Sequence, residues 1–98
     1  MRWYRNLYLG SALDESAEEI KKDLENGECK RNLFVITPAV NEKDLLDIRR
    51  GRDLKKLYRK EKDLLILGLA KGYDEAVELS VRILKEHLKD GVLILEGE

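Results

Sequence analysis

A pattern that recurs after 31 residues constrains this chain more than anything else in it. The stretch Phe34 to Ile48 aligns without gaps on Leu65 to Leu79. Each copy opens with a short apolar run, passes through a turn containing Ala, and enters an amphipathic segment with acidic residues at its start. A strand feeding a helix in a parallel α/β sheet has this form, and the spacing suits one βαβ unit. The pattern constrains architecture and is silent on chemistry.

Length and composition narrow the rest. Ninety-eight residues allow one domain, residues 1–98, with no second core. The 40% of charged residues must cover much of the surface, and their signs nearly cancel, at a formal net of −1. A balanced chain has no global pull toward nucleic acid or anionic membrane. Cys29 is the only cysteine, so no intramolecular disulfide can form, and the first ten residues lack a continuous apolar stretch. Both features point to a reducing, cytoplasmic setting. The longest apolar run, Leu64 to Ala70, is too short to span a bilayer. One His and one Cys do not make a zinc site, so no metal or cofactor is expected.

Along the chain, Trp3, Tyr4, Leu7, Tyr8 and Leu9 form an aromatic-rich start compatible with a helical turn or a short extended piece. Ser16-Ala17-Glu18-Glu19 is a capping box, in which the Ser oxygen and the Glu side chain satisfy each other's backbone amides. A helix from Ala17 to Glu25 follows, with Ala17, Ile20 and Leu24 inward and Asn26-Gly27 as its stop. Leu33 to Thr37 reads as a buried strand, ended by Pro38. Asn41 would cap a second helix, Glu42 to Arg59, burying Leu45, Leu46, Ile48, Leu54, Leu57 and Tyr58. Gly51 should weaken or break it. Asp63 to Leu69 gives another strand, Tyr73 to Lys89 a third helix, and Val92 to Leu95 a last strand after Asp90-Gly91. The expectation is a small three-layer α/β domain with three mostly parallel strands in the order α-β-α-β-α-β.

The set Trp3-Tyr4-Arg5-Asn6-Leu7-Tyr8, Phe34-Val35-Ile36-Thr37 with Asn41 and Leu45-Leu46-Asp47-Ile48, and Leu67 to Ala76 resembles a family of short uncharacterised proteins from anaerobic Gram-positive bacteria. The resemblance reaches to about Glu86 and implies no activity. Pro38 departs from it, standing where that pattern has Leu.

In a parallel sheet, ligands bind beyond the carboxyl ends of the strands. That rule selects Thr37, Asn41, Gly68, Lys71, Gly72 and Asp74 as candidate ligand-binding residues. Two helix N-termini there would favour a phosphate or carboxylate. The plainer reading makes Gly72 a turn, Asn41 a cap and Lys71 a solvated cation. Gly68 to Gly72 has neither Walker A nor dinucleotide spacing. Eight bases fall between Arg49 and Lys62. A solvated or acid-paired basic face explains them better than nucleic acid does.

His87 has no nucleophile or acid partner in sequence and reads as structural. Cys29 reads as an ordinary surface thiol despite Lys30 and Arg31. Asp44, Asp47, Glu75 and Glu78 match in the two copies, and first-turn acids complement a helix dipole. Trp3, Tyr4 and Tyr8 either cap the core or dock on a partner, and sheet edges invite pairing. The leading expectation is therefore a non-enzymatic, self-associating interaction module, with Trp3, Tyr4 and Tyr8 as interface candidates. The alternative is a regulatory domain binding a small anion through the loops after the first two strands.

Overall fold

The apolar run Leu64 to Ala70 is buried throughout, which only a strand covered on both faces and both edges can achieve. In the computed structural model, which describes residues 1–39, 44–60 and 63–95, that run is the inner part of β4 (Leu65–Lys71). The full order is β1 (Arg2–Leu9), α1 (Ala17–Glu25), β2 (Leu33–Pro38), β3 (Leu46–Arg50), a 3₁₀ turn (Gly51–Asp53), α2 (Leu54–Lys60), β4, α3 (Tyr73–His87), β5 (Leu88–Lys89) and β6 (Val92–Leu93).

The expected sheet of three mostly parallel strands is corrected to a mixed sheet of four, ordered β1-β4-β2-β3. Only β1 and β4 run parallel. β2 is antiparallel to β4 on one side and to β3 on the other. Two segments account for the difference. The aromatic N-terminus is a strand: Trp3 and Leu7 pack on one face, Tyr4 and Tyr8 on the other. The start of the expected second helix is β3. Its residues alternate with period two, Leu46 and Ile48 packing toward the core while Asp47 and Arg49 pair with each other at 2.7 Å. Adjacent β2 then gains a partner through a local hairpin, and only Leu54–Lys60 remains helical.

The last expected strand is also corrected. Asp90 and Gly91 both have positive φ, 52° and 79°, the geometry of a tight two-residue hairpin turn. Val92 and Leu93 therefore fold back on Lys89 and Leu88 and do not join the main sheet. The first helix matches its expectation: Ser16 Oγ accepts the Glu19 amide at 3.2 Å, and Ile20 and Leu24 are buried.

Two cores result. On one face α1 and α2 bring Ile20, Leu24 and Leu54 against Val35, Ile66 and Leu69. On the other, α3 alone brings Ala76, Leu79 and Ile83 against Tyr4, Tyr8, Ile36, Leu65 and Leu67. Gly68 permits that approach, since a Cβ there would sit 3.1 Å from Leu79 and 3.4 Å from Ile36.

Thr37 is fully buried, and among the described residues its hydroxyl has no hydrogen-bond partner. Burying an unpaired hydroxyl is destabilising. Thr37→Val keeps the shape and removes the penalty. It should raise stability by about 1 kcal/mol, roughly 4–8 °C in melting temperature for a domain of this length. A fall in the denaturant midpoint would show that the hydroxyl is satisfied.

Candidate functional site

The proposed ligand residues do not assemble. β2 and β4 are antiparallel, with Leu33 opposite Lys71 and Ile36 opposite Gly68. The loop after β2 therefore leaves one end of the sheet and the loop after β4 leaves the other. Thr37 is a core residue remote from Lys71 and Gly72, and Asn41 lies outside the described residues. Gly68 is buried packing space beneath α3.

The loop after β4 is occupied by the chain's own charges. Glu75, in the first turn of α3, accepts the Lys71 amide at 2.9 Å and the Ala12 amide at 2.7 Å. An internal carboxylate thus holds donors that an external anion would need. Lys71 Nζ lies 2.6 Å from Asp14, and this hydrogen bond is the main cause that raises the ammonium pKa. Gly72, at φ 88°, makes the turn and donates its amide to the Asn32 carbonyl at 2.8 Å. Asp74 is exposed.

The interface aromatics are mostly interior. Tyr4 and Tyr8 are 2% and 8% exposed, so they cap the core. Trp3 is half-buried, its indole N–H 3.4 Å from Glu25 and its ring beneath Lys21. Tyr8 donates to Glu86 at 2.6 Å, sits 2.8 Å from His87 Nε2, and lies under Arg82. Burial first, then the Glu86 bond and charge, push the phenol well up, so it stays protonated. His87 Nδ1 reaches the Ile94 carbonyl at 3.1 Å and ties the C-terminal hairpin to α3.

Cys29 donates to the Lys30 carbonyl at 3.2 Å. Burial, reinforced by Asp23 and opposed by Arg52, raises its pKa, the opposite of what a nucleophilic thiol requires. Among the described residues no group of three or more His, Cys, Asp or Glu side chains is placed to hold a metal. Among the described residues no helix is long and apolar enough to cross a membrane.

The feature that sequence reading missed is on α3. Val77, Val81 and Leu88 are 38%, 45% and 41% exposed, and Leu84 is half-buried. Val77, Val81 and Leu84, spaced four and three apart, make one apolar seam along α3, and Leu88 lies just past the helix end in β5. Arg82 and Glu86 reach β1 through Tyr8, so that flank of α3 faces β1. Tyr73 meets Phe34 of β2 edge-on at 5.8 Å. By helical periodicity, the Tyr73–Val77–Leu84 flank therefore faces the β3 side. There Phe34, Leu46 and Ile48 are only partly buried. The signal was present in sequence: the apolar arc of this helix is wider than one sheet contact needs.

Two predictions follow from these contacts. A Cβ on Gly10 would stand 1.9 Å from Glu75 Oε1, so Gly10→Ala should evict the carboxylate from both amides. Gly10→Ala and Glu75→Ala should each destabilise by about 1–2 kcal/mol, and the double variant by little more than either, as a double-mutant cycle would read. The Glu86 pKa is lowered chiefly by the Tyr8 hydrogen bond. Its stabilisation is present above the ordinary 4.5 and is lost as pH falls through its depressed folded value. Acid titration of stability below that point should be steeper in the native chain than in Tyr8→Phe.

No protein-family model matches this sequence, and no curated protein or solved structure shows significant similarity to it.

Proposed function

We propose that this chain is a non-enzymatic interaction module that self-associates through the outer seam of α3. The observation that carries the reading is unequal cover. Strands lie about 4.8 Å apart and a helix is about 10 Å across, so one helix shields roughly two strands. Two helices cover one face of this four-stranded sheet, and among the described residues α3 is the only helix on the other. The slot beside α3 keeps Phe34, Leu46 and Ile48 half-exposed, and the seam leaves Val77 and Val81 exposed and Leu84 half-buried.

A second copy suits the slot because α3 complements itself. Its N-terminal half carries Asp74 and Glu78, and its C-terminal half Arg82 and Lys85. In an antiparallel pair, Val81 meets the other chain's Leu84. Glu78 and Lys85 then flank the seam opposite one another, twice by symmetry. A parallel pair has no such charge match. Edge pairing is disfavoured. β1 has a register shift between Trp3 and Tyr8, and β3 carries Asp47, Arg49 and Arg50, features that blunt open edges.

Sedimentation equilibrium should give a dimer at micromolar to millimolar concentration. Val81→Glu should yield a folded monomer, since Val81 is already exposed. Lys85→Glu should weaken the dimer about tenfold, and adding Glu78→Lys should restore it. A native chain that stays monomeric at millimolar concentration would sink the proposal, as would a charge swap that fails to rescue.

A further inference from the structure

Phe34 borders the slot beside α3, but no residue of the α3 seam lines the corner where the start of β2 meets the end of β3. Pairing of Phe34 with Arg50 brings two stretches of sequence together there. Gly51 lets them close, since a Cβ on it would lie 2.6 Å from Cys29 Sγ and 3.1 Å from Leu33. The result is a concave pocket of about 400 Å³ whose lining includes Lys30, Arg31, Arg50 and Arg52, with Leu33 and Phe34 as apolar wall. No acidic side chain lines it among the described residues. None of these four cations forms a salt bridge there either.

Like charges gathered around one concavity repel, and together they raise the local concentration of an anionic ligand. Guanidinium forks match phosphate oxygens in pairs. A single carboxylate would leave most of this charge unanswered, whereas a chain of phosphates answers it in both charge and acceptor number. An adjoining pocket of about 180 Å³ shares Lys30, Arg31 and Leu33 and adds apolar Leu13 and Ile20, the carboxylates Asp14, Glu15 and Asp23, and Lys71. It offers apolar contact and hydrogen-bond acceptors for an organic group attached to those phosphates.

We propose that the Lys30–Arg31–Arg50–Arg52 pocket binds the di- or triphosphate group of a small organic ligand. This differs from the loop site expected from sequence, and it does not depend on α3.

The test is titration calorimetry of the full chain with inorganic triphosphate and with ATP, at low and at physiological salt. Expected are one site per chain, an affinity that falls steeply with salt, and tighter binding of ATP than of triphosphate. The exposed double variant Arg50→Ala/Arg52→Ala should lose at least tenfold, with its fold checked by circular dichroism. Lys89→Ala, outside the pocket lining, should bind as the native chain does. Absence of binding by both probes would overturn the proposal. So would affinity indifferent to the Arg50/Arg52 change, or binding of single-stranded RNA that grows with length while triphosphate stays silent, because that behaviour marks an extended phosphate-backbone surface.

Discussion

Antiparallel pairing of β2 with β4 is the constraint on which the rest of this structure turns. β4 is buried along nearly its whole length, and its two edges take strands of opposite sense. Everything that positions chemistry follows from that. The loop after β4 is carried to the start of β2, where Gly72 donates to the Asn32 carbonyl. The loop after β2 is carried away from it. Corner residues from 29 to 34 then meet the end of β3 and gather four cations around one hollow.

Uneven cover is the second consequence. With β1 and β3 at the two edges, the sheet is wide enough to need two helices on each face. Among the described residues the chain supplies two on one face and one on the other. The same helix that completes the smaller core through Ala76, Leu79 and Ile83 turns a separate apolar row toward the empty side. One flank of a single helix therefore completes the core while another carries the exposed row.

Much of this was legible in the residues. Ser16 with Glu19, and Asn26-Gly27, bounded α1 because local hydrogen bonding sets those ends. β2 and β4 were legible from apolar runs. Strand sense was not. A repeated strand-to-helix pattern suggests parallel order, but sense depends on which segments pair, and β3 was hidden inside a run rich in Arg and Lys. Its short period-two stretch, Leu46 to Arg49, lost to the helical propensity of its neighbours. Asp90-Gly91 was read as a helix stop when it is also a hairpin turn. The site residues failed for the same reason: Thr37 and Lys71 belong together only if β2 and β4 are parallel. Of the N-terminal aromatics offered as interface candidates, Tyr4 and Tyr8 lie inside, packed against the core beneath α3.

The most direct check on this account is isotope-filtered NMR on an equimolar mixture of labelled and unlabelled chain. Antiparallel α3 pairing predicts intermolecular contacts between the methyl groups of Val81 and Leu84. Intermolecular contacts confined to the β1 or β3 edges, or none at millimolar concentration, would contradict it.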